Sequence, residues 1–215
     1  MPSAAYKLFQ ENVIDVERLI ESHGQLNNGA PGKKGLGHLT RSGVVMLCAA
    51  WEVYTEDLLE QVVQLYGDCL ELPDQLPKIV QKHLSNLVKN DKHELKPIQF
   101  AGAGWRAVYL EYVQRETRSL NTPEPKKLDS LYLEYAGVPM LSSCWTVDAG
   151  DISDFIHIRG EIAHTGRKAQ YVKIGDLQKY LDEFKRVAVE TDNFLAEFVR
   201  DHTPGGALPW YRIKN

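Results

Sequence analysis

Cysteine is scarce in this chain, and what there is follows no pattern. Cys48, Cys69 and Cys144 are the only three among 215 residues. An odd number without CxxC spacing argues against a disulfide framework or a structural zinc site and fits a reducing compartment; all three are expected as buried fillers. Long apolar runs are missing as well. The longest, Val44 to Trp51, is far short of the ~20 residues that span a bilayer, and no basic region followed by an apolar run and a cleavage site opens the chain. The expectation is a cytoplasmic protein without membrane contact. Positive charge is not in excess either: 25 Lys and Arg against 29 Asp and Glu give a formal net charge of -4, so a nucleic-acid partner would have to be held by a local basic patch.

Strand-like alternation and internal repeats are absent too, and what remains is helical periodicity. With 43% hydrophobic content the length supports one substantial core, expected over 1–203 with a tail at 204–215. Phe9, Val13, Val16 and Ile20 predict a first helix from Ser3 to Ser22. A Gly- and Asn-rich linker comes next, containing Gly32-Lys33-Lys34-Gly35. It lacks the spacing of a Walker loop, and the strands that a KH domain would need around such a GxxG loop are not legible, so it reads as a flexible loop. From Thr40, an N-cap candidate, a long helix is predicted to about Tyr66. Its first half, Val44 to Val53, is apolar on almost every face and so is expected to be a central helix surrounded by others.

Pro77 is placed to open a third helix with Val80, Leu84, Leu87 and Val88 as its stripe. Trp105, Val108, Tyr109, Tyr112 and Val113 predict another to about Leu120, with Arg106, Arg115 and Arg118 on its polar side, where an RNA-binding rim or a simply solvated face would lie. A short helix is expected over Lys126 to Ala136. The last, from Asp176 as an N-cap candidate to His202, has the cleanest stripe in the chain, from Leu177 through Phe184 and Leu195 to Val199. Trp210 and Tyr211 in the tail could pack back as a lid. The fold class is all-α, with a long central and a long C-terminal helix.

The stretch that stands out is Asp151 to Gly166, an amphipathic helix stopped by glycine. Ile152, Phe155, Ile156, Ile162 and Ala163 share one face, and Arg159 projects from the middle of it. Arginine is almost never buried unpaired, so Arg159 either meets an acid or faces a cleft or partner. Glu52, a carboxylate within the apolar half of the long helix, either pairs with Arg159 or emerges at a helix edge into solvent. His164 sits in the last turn, where the negative end of the helix dipole favours a protonated ring. Past Gly166 come Arg167, Lys168, Tyr171 and Lys173, cations with an aromatic, suited to RNA phosphates and base stacking. Asp154, His157, Glu161 and His164 recur at i, i+3, i+7 and i+10, a stripe able to ligate a divalent ion. A metal site would want further ligands from another helix, and no second His/Glu pair is visible, so no metal and no cofactor is expected.

The Arg-x4-His spacing of Arg159 and His164 resembles the signature of the HEPN superfamily, many of whose members are metal-independent ribonucleases. The family often carries a polar residue after the Arg, where this chain has Gly160. Arg41 to Leu59, an apolar run leading into Glu52, is similar to the early core helix of the RiboL-PSP-HEPN branch. The resemblance implies a HEPN-like helical bundle whose catalytic Arg159 and His164 meet their copies at a homodimer interface, with Glu52, His157 and Glu161 in support. It implies RNA as the substrate, 2',3'-cyclic phosphate and 5'-hydroxyl ends, and a toxin-antitoxin or phage-defence setting with an antitoxin or sensor partner. The alternative is a non-catalytic helical module that binds RNA or protein, in which Arg159 pairs with Glu52 to fix the fold and His164 caps the helix end.

Overall fold

The computed structural model describes residues 1–27 and 35–214. The expectation of a flexible loop over the Gly- and Lys-rich linker therefore falls mostly outside the described residues. Eight α-helices and no strand are found among the described residues: α1 Ala4–Asn27, α2 Gly37–Cys69, α3 Lys78–Asn90, α4 Lys96–Phe100, α5 Trp105–Thr117, α6 Pro125–Ala136, α7 Ala149–Thr165 and α8 Ile174–His202. The fold is all-α, and none of these helices is long and apolar enough to cross a membrane.

The long central helix is α2. Its 33 residues run roughly 50 Å, and α1, α5, α6, α7 and α8 all pack on it. The core is rich in tyrosine, and buried hydroxyls find backbone carbonyls: Tyr54 donates to Ala188 at 2.8 Å, Tyr66 to Ala136 at 3.1 Å, and Tyr132 to Thr55 at 2.7 Å. Burying the rings supplies apolar area, while the satisfied hydroxyls fix how α2 sits against α6 and α8.

Helix ends depart from expectation where a side chain finds another partner. Thr40 lies in the first turn of α2, fully buried, and donates its hydroxyl to Gly37 O at 3.2 Å. Asp176 is the third residue of α8 and accepts the Lys173 amide at 3.0 Å, fastening the helix from inside. Arg106 is no rim residue: it donates to Gly67 O at 2.5 Å and to Leu70 O at 2.8 Å, satisfying the orphan carbonyls where α2 ends. The short α4 has no periodic signal in the sequence. Cys48 is buried as expected, whereas Cys69 is exposed and Cys144 half-buried.

The tail does pack back, over the middle of α8 rather than over the motif helix. Trp210 is buried and its indole donates to Asp192 O at 3.1 Å; Tyr211 N donates to Met1 O at 2.9 Å. Both chain ends thus meet at Asp192, whose fully buried carboxylate accepts from the Ser3 hydroxyl and amide, while Ser3 Oγ accepts the Tyr6 amide at 2.9 Å at the start of α1.

Burial pushes the Asp192 carboxyl from its ordinary 3.8 up to about 6, with the Ser3 hydrogen bonds pulling the other way. A raised carboxyl holds its proton longer folded than unfolded, so the stability it contributes is fully present below pH 3.8 and lost as pH rises through about 6. The displacement corresponds to about 3 kcal/mol as an upper figure. Denaturant unfolding should therefore show stability falling between about pH 4 and 7, and Asp192→Asn should flatten that part of the profile relative to wild type. Equal slopes in both proteins would contradict this.

Candidate functional site

The motif helix α7 starts where Asp148 caps it, Oδ1 accepting the Gly150 amide at 2.7 Å, and stops at Gly166, whose φ of +58° lies in the region that only glycine enters freely. Ile152, Phe155, Ile156 and Ile162 are buried. Phe155 is held between Tyr180 and Phe184, with ring centroids 5.1 and 4.6 Å away. Ala163, expected on the same buried face, is exposed, because the described chain does not cover that side of the last turn.

Arg159 is neither buried nor locked. Its side chain is 30% exposed, that of Glu52 24%, and Nη2 stands 4.0 Å from Glu52 Oε2. At that distance the two attract without a hydrogen bond, and Glu52 Oε2 is itself buried with no hydrogen-bond partner. Burial raises the Glu52 carboxyl while Arg159 lowers it, and one turn on, burial and then the charge of Glu52 push Glu56 up to about 7. The Cys48 thiol nearby is pushed by burial to about 11 despite Arg159, so it is protonated and unsuited to act as a nucleophile. Of the two readings of Glu52, the structure favours the pairing with Arg159: the half-buried carboxylate lies in ion-pair range of the guanidinium, without a hydrogen bond that would spend its donors.

His164 is exposed in the last turn, five residues and about 140° of helix rotation beyond Arg159, and His157 is exposed on the same helix. Glu161 braces the turn after the helix, Oε1 accepting the Gln170 amide at 3.0 Å. This contact ties Arg167 and Lys168 back to the motif helix. Arg167, Lys168, Tyr171 and Lys173 are all exposed, while Val172 between the last two is buried and anchors the segment. Among the described residues none of these cations has a carboxylate within salt-bridge reach. Asp154, His157, Glu161 and His164 do not converge, and no group of three or more His, Cys, Asp or Glu among the described residues could hold a metal ion. Next to Arg159, a Cβ added at Gly160 would meet nothing within 4 Å, so a polar side chain would have room there.

Two features escape the sequence. The first is an open strip on α2, a helix whose apolar pattern predicts cover on every side. Val45 is 38% and Met46 37% exposed, Ala49 is exposed, and the strip continues to half-buried Glu52 and Val53. Residues 45, 49, 52 and 53 share one helix face, and with Glu52 beside Arg159 that face runs into the site. The second is Arg41, in the first turns of α2, which a Cβ on Gly37 would meet together with the ring of Tyr171.

A family model described as RiboL-PSP-HEPN matches residues 11–197, a span that includes Glu52, Arg159, His164 and the basic segment. No curated protein and no solved structure matches the chain.

Proposed function

The chain belongs to the RiboL-PSP-HEPN family, and from that premise we propose that it is a metal-independent endoribonuclease whose active site is composed of Arg159 and His164 from two copies of the chain. The observation that carries this is that the last two turns of one helix carry both an Arg159 guanidinium 4.0 Å from its nearest acid and an exposed His164, followed by cations without ion-pair partners among the described residues.

Cleavage without a metal needs a base for the 2'-hydroxyl, an acid for the 5'-oxygen, and positive charge for the phosphate. One His and one Arg cannot fill three roles. A two-fold axis beside the motif helix brings two of each to one groove, and the apolar strip of Val45, Met46 and Ala49, with Ala163, is the surface such a contact would cover. One His164 takes the proton from the 2'-hydroxyl as its oxygen attacks phosphorus. The partner's His164, protonated, gives a proton to the departing 5'-oxygen. Arg159 holds the non-bridging oxygens as their charge grows, and the products are a 2',3'-cyclic phosphate and a 5'-hydroxyl. Arg167, Lys168, Tyr171 and Lys173 hold the strand. The family setting suggests a toxin-antitoxin or defence system, with the enzyme beside an antitoxin or sensor.

The test is incubation of the purified chain with single-stranded RNA in EDTA, with analysis of the resulting ends. Cleavage with cyclic phosphate ends is expected; no cleavage, or cleavage only when a divalent ion is restored, overturns the proposal.

A further inference from the structure

Two anchors press the segment between α7 and α8 onto the start of α2. Val172 is buried, and Leu177 lies so close over Gly43 that a Cβ there would come within 2.5 Å of Leu177 Cδ2. Tyr171 cannot bury its own ring from this position and stays 60% exposed. One edge of its ring lies against Gly37, and so does Arg41: a Cβ on Gly37 would stand 3.2 Å from Tyr171 Cε2 and 3.1 Å from Arg41 Nη1. A guanidinium and an open aromatic face, delivered by elements far apart in sequence, thus meet where glycine leaves the space for them. Among the described residues no carboxylate lies within salt-bridge reach of Arg41. Arg41 precedes Glu52 by eleven positions on α2, roughly 16 Å along its axis. That is a distance which a few nucleotides of extended single strand cover.

We propose that Arg41 and Tyr171 form a nucleotide-holding subsite for single-stranded RNA, Tyr171 stacking on a base and Arg41 binding a phosphate, a few nucleotides from the phosphate held by Arg159. The subsite deepens the ribonuclease assignment and rests on it for the direction of the strand. Stacking on an aromatic is tolerant of base identity, and the phosphate contact carries no sequence information. The subsite therefore sets how much single strand the enzyme needs rather than which sequence it cuts. Arg41 and Tyr171 act as positioning residues, away from the reacting atoms.

The experiment measures binding of a fluorescent single-stranded RNA across a salt series by His164→Ala protein, alone and combined with Arg41→Gln, Tyr171→Leu or Tyr171→Phe, with cleavage by the corresponding single variants run in parallel. Arg41→Gln is expected to weaken binding about tenfold and to lower the slope of log affinity against log salt by about one. Tyr171→Leu is expected to weaken binding about tenfold, and Tyr171→Phe, which keeps the ring, to bind as before. In cleavage, KM should rise with little change in kcat, and a dinucleotide too short to reach the subsite should not register either change. Gly37→Ala, which keeps both side chains but pushes between them, should show a smaller loss. Binding and salt slope unchanged in both Arg41→Gln and Tyr171→Leu would overturn the subsite even if RNA is cut. RNA bound through Arg41 and Tyr171 but never cut would uphold it and remove the nuclease assignment, and RNA neither bound nor cut would remove both.

Discussion

His164→Ala is expected to slow cleavage of single-stranded RNA in EDTA by roughly a hundred- to ten-thousandfold, the range for losing a general acid or base. The upper end applies here, because in a symmetric dimer one substitution removes the base from one side of the groove and the acid from the other. Folding should be untouched. His164 is exposed, donates and accepts no side-chain hydrogen bond among the described residues, and ends a helix that Gly166 terminates independently; surface changes of this kind stay within about 0.5 kcal/mol. A thermal melt of the variant coinciding with wild type would therefore accompany the lost activity. Equal cleavage by both proteins would remove His164 from the chemistry and leave the helical module without a catalytic assignment.

Met46→Glu is expected to separate the two copies and silence the enzyme together. Met46 is 37% exposed on the open strip of α2, so a glutamate there can turn its carboxylate to water in the isolated chain. Across a two-fold axis the same change appears twice, placing two unpaired like charges in an apolar contact, where burial of each is strongly disfavoured. If each charge forfeits about 1.4 kcal/mol, association weakens by at least about a hundredfold. Sedimentation should show a folded monomer and the RNA assay no cleavage. A dimer of unchanged affinity would mean that the copies meet elsewhere.

The helices are legible wherever apolar residues repeat at a steady step: Phe9 to Val16 in α1, Ile152 to Ile162 in α7, and Leu177 to Val199 in α8 are buried stripes that the spacing alone predicts. The ends are less legible, because Thr40 and Asp176 are capping residue types that sit inside the first turn, where the hydroxyl turns to Gly37 O and the carboxylate reaches back to the Lys173 amide. Arg106 looks like surface charge, yet it closes the carbonyls of α2 through a contact between helices that no local pattern announces. The same limit hides the open strip. Val45, Met46 and Ala49 lie in an apolar run, and an apolar residue left exposed reads like one turned to the core. Exposure tells them apart, and only the packing of α1, α7 and α8 around α2 decides exposure. Of the site, Arg159 and His164 stand out because a lone arginine on an apolar face and a histidine in a last turn are both anomalies within one helix. Arg41 does not, because its relation to Tyr171 depends on how the segment after α7 returns over Gly37.

Cleavage per chain, measured in EDTA over a dilution series with the sedimenting mass tracked at each concentration, tests most directly whether the site is built from two copies. Activity per chain should hold while the protein is dimeric and fall away as monomers appear, returning when the protein is reconcentrated. A monomer that cuts RNA as fast per chain as the dimer would contradict the shared groove.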